Sequence, residues 1–158
     1  MTDTDGAELY GLLVPLDEER LIVPRACVAE VIAHQELTPM PGAPTWYAGT
    51  VPWNDRVLPV ISFEGTLGRP IPEVRGRTRI VVLHCLGARL SGGYFGILTQ
   101  GFPQLVRLNP DIVKPDPTRS FPERSPVLCS LRMVNEAPLV PDLEYLEGAI
   151  ADETSVAA

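Results

Sequence analysis

Cysteine, histidine and long apolar runs are all scarce in this chain. Cys27, Cys85 and Cys129 are the only thiols and stand far apart, with no CxxC pair. That spacing excludes a disulfide framework and a zinc knuckle, and the thiols are expected to be buried and inert in a reducing compartment. No stretch approaches the roughly 18 apolar residues that a helical membrane span requires. The first residues, "MTDTDGAELY", have neither the basic nor the apolar region of a secretory signal, so the expected location is cytoplasmic, without membrane insertion. Basic charge is short as well, 13 Lys and Arg against 20 Asp and Glu, net −7. Such a surface repels phosphate backbones and argues against nucleic acid as a partner.

The residues that catalysis needs are equally thin. His84 adjoins Cys85 on an expected strand, where neighbours face opposite ways and cannot share a metal. His34 has no ligand or triad partner at i+4. "GARLSGG" has Gly93 where a phosphate loop needs lysine, and Ser91 lacks the G-x-S-x-G elbow. Asp17, Glu18 and Glu19 sit in a turn without an EF-hand pattern and read as solvated acids. No catalytic residue, metal site or cofactor is expected.

Proline is abundant instead, 17 residues, about twice average usage, which favours short strands joined by turns over long helices. The expected fold is mainly β. "ELYGLLVPLDEERLIVP" reads as a hairpin with strands Glu8 to Val14 and Leu21 to Val23. In "RACVAEVI", Val28, Val31 and Ile32 recur at i, i+3 and i+4 and predict a short helix, with Glu30 off its apolar stripe. Tyr47 to Trp53 and Arg56 to Ser62 flank Asn54-Asp55, a pair suited to a tight hairpin turn. "GRPIPEVRGRTR" is a solvated connector. "TRIVVLHCL" with "YFGIL" predicts a third hairpin, and Val127 to Val134 with Ala137 to Val140 a fourth. Leu143, Leu146 and Ile150 predict a closing helix capped by Asp142, followed by a frayed tail over 151–158. The two halves echo each other, with "VLPVISFEGTL" and "APLVPDLEYL" in equivalent places. They suggest one domain, residues 1–158, of two small intertwined lobes near 8–70 and 76–150.

One segment carries a family pattern. "YGLLVPLDEERLIVPRACVAEVI" followed by "LTPMPGAPTWYAGTVPWNDRVLPVISF" contains V-x-E-V-I, P-x-P-G-x-P and G-x-x-x-x-x-x-x-V-L-P-V-I, and resembles CheW-like domains. The resemblance implies two intertwined five-stranded SH3-like barrels with short helices. It also implies a non-catalytic adaptor whose partners are a chemoreceptor's cytoplasmic tip and the regulatory domain of a chemotaxis-type histidine kinase. Carried over by position, the groove residues are Val28, Glu30, Val31 and Gly49, with Pro52, Trp53 and Asn54 on the rim. Typical members read N-L-R-G where this chain has Pro52-Trp53-Asn54-Asp55, and Asp where it has Ser62. Those departures point to a divergent member, of the kind paired with a second CheW-like protein in type IV pilus chemosensory systems. The residues alone leave a small-molecule-binding or enzymatic barrel as the alternative, and core packing competes with docking for Trp46, Tyr47 and Trp53.

Overall fold

A computed structural model describes residues 9–157 except Ile112, with side chains through residue 154. Glu8, the expected first strand residue, and Ala158 lie outside the described residues. In chain order the elements are β1 (Leu9–Pro15), β2 (Arg20–Pro24), β3 (Val28–Ala33), β4 (Tyr47–Trp53), β5 (Arg56–Ile61) and α1 (Phe63–Thr66). They continue with β6 (Arg79–His84), β7 (Tyr94–Thr99), β8 (Gln104–Leu108), β9 (Lys114–Pro115), β10 (Val127–Arg132), β11 (Leu139–Pro141) and α2 (Leu143–Ala157).

The strands form two sheets, ordered β8-β1-β2-β11-β10-β9 and β3-β6-β7-β5-β4. The orders match position for position. In each, a central hairpin (β1–β2 or β6–β7) takes an antiparallel strand on one side (β8 or β3). On its other side it pairs in parallel with the second strand of another hairpin, Leu139 with Leu21 and Val60 with Gly96. Even the two-residue β9, which makes one sheet six-stranded instead of five, has a counterpart in the single bridge between Thr38 and Thr50. Each sheet thus takes its central hairpin from one half of the chain and its flanking strands from the other. The fold is mainly β, and this exchange is what intertwines its two halves.

Alternation on β6 separates two cores. Ile80 and Val82 join Val51, Leu58, Val60 and Leu98 inside the five-stranded sheet. Val81 and Leu83 face the other way, into a larger cluster with Leu21, Val23, Phe63, Phe95, Leu139, Leu146 and Ile150 that binds both sheets and both helices. Burial of each such side chain contributes about 1.5–3 kcal/mol, so the run "IVVL" reflects burial on both faces.

Four expectations need correction. The segment after Pro24 is one 3₁₀ turn, Arg25–Cys27, and then a strand, because β6 offers a full ladder to β-branched residues that a lone short helix could not repay. Residues 151–157 continue α2, since Ile150 and Ala151 are buried beneath it and propagation from an anchored helix is favourable. Glu19 is not a solvated acid: its side chain is only 11% exposed and lies between Arg69 and Arg119. Cys129 is exposed, while Cys27 and Cys85 are half-buried.

Candidate partner-binding site

The predicted site residues fall on two faces of β3. Directly paired residues on neighbouring strands share a face, and Val28 pairs with Leu83, Val31 with Val81, Glu30 with Val82 and Ile32 with Ile80. A bulge between Val28 and Glu30 supplies the extra residue that places Val28 and Val31 on the same side. That side faces the other sheet. There Val28 and Val31 line an open cleft of ≈ 420 Å³ with Leu12, Arg25, Ala26, Ala29 and Leu105. Val31 is 39% exposed and Leu105 53%, so both walls present apolar surface to solvent.

Glu30 points to the opposite face, the mouth of the five-stranded sheet. The sheet curls until its edge strands meet, and Trp53 Nε1 donates to Glu30 Oε1 at 2.9 Å across the gap. The indole packs edge-on to Tyr94, with centroids 4.8 Å apart, and onto the small core. His84 lies 5.1 Å from the Tyr94 ring and the Arg56 guanidinium 5.0 Å from it. Arg56 also donates to the Gly92 carbonyl at 2.7 Å. Cys85, next to His84, turns into the larger core, where burial and then the nearby Glu147 charge push its thiol up to about 12. That removes it as a nucleophile.

Asn54 (φ 46°) and Asp55 (φ 61°) make the tight turn between β4 and β5, and Pro52 is exposed beside it. Gly49 is buried at a bulge with φ 142°, and a Cβ there would stand 2.6 Å from the Thr38 carbonyl oxygen. It offers a partner no side chain; it lets Thr38 close over β4. Trp46 and Tyr47 pack on the larger core, Tyr47 only 6% exposed. Arg56, Tyr94, Leu12 and Leu105 are site neighbours that the sequence does not single out. Only the expectation that "YFGIL" pairs with "TRIVVLHCL" hints that Tyr94 sits opposite His84.

Among the described residues no group of three His, Cys, Asp or Glu side chains is placed to hold a metal ion, and no helix is long and apolar enough to cross a membrane.

Two comparisons bear on the arrangement. A family model for the CheW-like domain matches residues 10–144. Among solved structures, the fold is similar to the crystal structure of scaffolding protein TtCheW from Thermoanaerobacter tengcongensis, with 17% identity and a TM-score of 0.74. The match covers 89% of this chain and 88% of that one. A comparison with curated proteins gives no match.

Proposed function

Because this chain belongs to the CheW-like domain family, we propose that it is a non-catalytic cytoplasmic adaptor coupling a chemoreceptor's cytoplasmic tip to the regulatory domain of a chemotaxis-type histidine kinase. The observation that carries the reading is the cleft between the sheets. Val28 and Val31 form one wall and Leu12 and Leu105 the other, leaving apolar surface open along a groove. An amphipathic helix laid into such a groove buries its own apolar stripe there. Glu30 stands on a second rim, on the face of β3 opposite the groove, with one oxygen held by Trp53 and, among the described contacts, the other left for a partner's Arg or Lys. Trp53, Pro52 and Asn54 complete the rim, and aromatic anchors of this kind commonly dominate interfaces.

The test is direct binding of a receptor-tip helical hairpin and, separately, of a kinase regulatory domain, by calorimetry. Val31→Lys and Leu105→Lys place charge in the groove and should each weaken the hairpin by roughly tenfold or more. Unchanged affinity in both variants sinks the assignment. The pilus-linked placement rests on Pro52-Trp53-Asn54-Asp55 standing where N-L-R-G is typical. Recovery of a pilus-system kinase with this chain in a pull-down supports it, and exclusive recovery of a flagellar-type kinase ends it.

A further inference from the structure

We infer that Glu147, on α2, is a positioning residue for the Trp53 rim, an inference that rests on the rim belonging to the binding site. Glu147 is 1% exposed. Its Oε1 accepts from the Gly87 backbone N–H at 2.8 Å and its Oε2 from the Arg89 N–H at 2.6 Å. Both donors belong to the loop between β6 and β7. Ala88, between them, has φ 56°, a left-handed conformation that costs an alanine free energy and persists only where its surroundings impose it. The carboxylate imposes it by gripping the N–H on either side.

The same loop reaches the rim. Its Gly92 carbonyl holds the Arg56 guanidinium, and Arg56 lies over Tyr94, whose ring supports Trp53. Glu147 therefore fixes the loop at Arg89, the turn closed by the Gly93 N–H on the neighbouring Leu90 carbonyl at 3.0 Å carries that hold to Gly92, Gly92 sets Arg56, and Arg56 with Tyr94 sets the indole that bonds Glu30. The pathway is contiguous through packed and hydrogen-bonded groups of the kind that carry coupling between sites, and the variants below measure that coupling. A second buried glutamate supplies an internal control. Glu64 on α1 is 2% exposed and accepts from the Asp17 N–H at 3.0 Å in the β1–β2 loop of the other sheet. Glu64 makes no link to Trp53 or its neighbours among the described contacts.

The experiment compares Glu147→Ala, Glu147→Gln, Glu64→Ala and Trp53→Ala in the full chain, reading the Trp53 indole N–H resonance and the affinity for the receptor-tip hairpin under conditions where each variant is folded. Glu147→Ala should move the indole resonance and weaken binding by roughly 2- to 30-fold. Glu147→Gln should recover part of both, since its amide oxygen still accepts one bond. Adding Ala88→Gly to Glu147→Ala should not restore the rim, because it relieves strain without restoring the grip. Glu64→Ala should leave both readouts at wild type. If Trp53→Ala weakens binding but Glu147→Ala leaves the resonance and affinity unchanged, or changes them no more than Glu64→Ala does, the positioning role is wrong. If Trp53→Ala leaves affinity intact, the rim is not part of the site and the inference falls with that reading.

Discussion

Glu64 and Glu147 occupy equivalent places, each on the helix that follows a parallel-paired strand and each gripping the central hairpin loop of the opposite sheet. Their chemistry differs. Glu147 gives an oxygen to each of two backbone N–H groups, whereas Glu64 takes one, and its other oxygen lies 3.4 Å from the Ser62 hydroxyl that caps its own helix. The β1–β2 loop has a second anchor in Glu19, bonded to Arg119 at 3.0 and 3.1 Å and to Arg69 at 3.0 Å. Besides its carboxylate, the β6–β7 loop is tied by exposed contacts, the Arg89–Asp152 pair and Arg56 on the Gly92 carbonyl. A repeated topology thus places two clasps alike, while local chemistry decides how much each loop depends on its clasp.

That contrast can be broken by mutation. Glu147→Ala removes the acceptor of two part-buried backbone N–H groups and should cost about 1–3 kcal/mol in urea unfolding, more than Glu64→Ala, which removes the acceptor of one. Equal costs would mean that the clasps are interchangeable. Next in size is Gly49→Ala, which strains a backbone position that no L residue adopts easily and pushes a methyl group against Thr38. It should destabilise by about 1–3 kcal/mol, while Gly42→Ala, at φ 79° with open space around it, should cost less.

A pH experiment sharpens the account of the second anchor. Hydrogen bonding from Arg119 holds the Glu19 carboxyl below its ordinary value, against the opposing effect of burial, and Arg69 adds to it. A carboxylate with a depressed folded pKa stabilises fully above its unfolded value and loses that contribution as pH falls through the folded one. Arg119→Gln should therefore flatten the acid limb of the stability curve below the ordinary glutamate range and change little near neutrality in its slope. An acid limb identical to wild type would show that the pair is not coupled to folding. The smallest effect belongs to Arg20 and Glu136, paired at 2.6 Å but 44% and 32% exposed. Arg20→Ala should shift stability by less than about 1 kcal/mol.

Much of the fold is legible in the residues because turn chemistry is local. Asn54 and Asp55 both adopt positive φ, as a tight hairpin turn demands, and Asp142 accepts the Tyr145 N–H at 3.0 Å at the start of α2. The V-x-E-V-I and V-L-P-V-I runs carry the family pattern without any knowledge of contacts. β3 is misread for an equally physical reason. A bulged strand places Val28 and Val31 on one face just as a helix would, so spacing alone cannot separate them. Of the expected site residues, Val28 and Val31 line the cleft and Glu30 meets Trp53 on the opposite face of β3, while Gly49 serves the backbone beneath Thr38.

Where this chain turns, which runs are apolar on one face or two, and which family those runs belong to can all be read from the residues, since each depends on neighbours close along the chain. That three glutamates of ordinary appearance, Glu19, Glu64 and Glu147, are internal fastenings emerges with the folded chain alone. Their partners lie 47 to 100 residues away, and burial of a charge is set by what folds over it rather than by its neighbours in the chain.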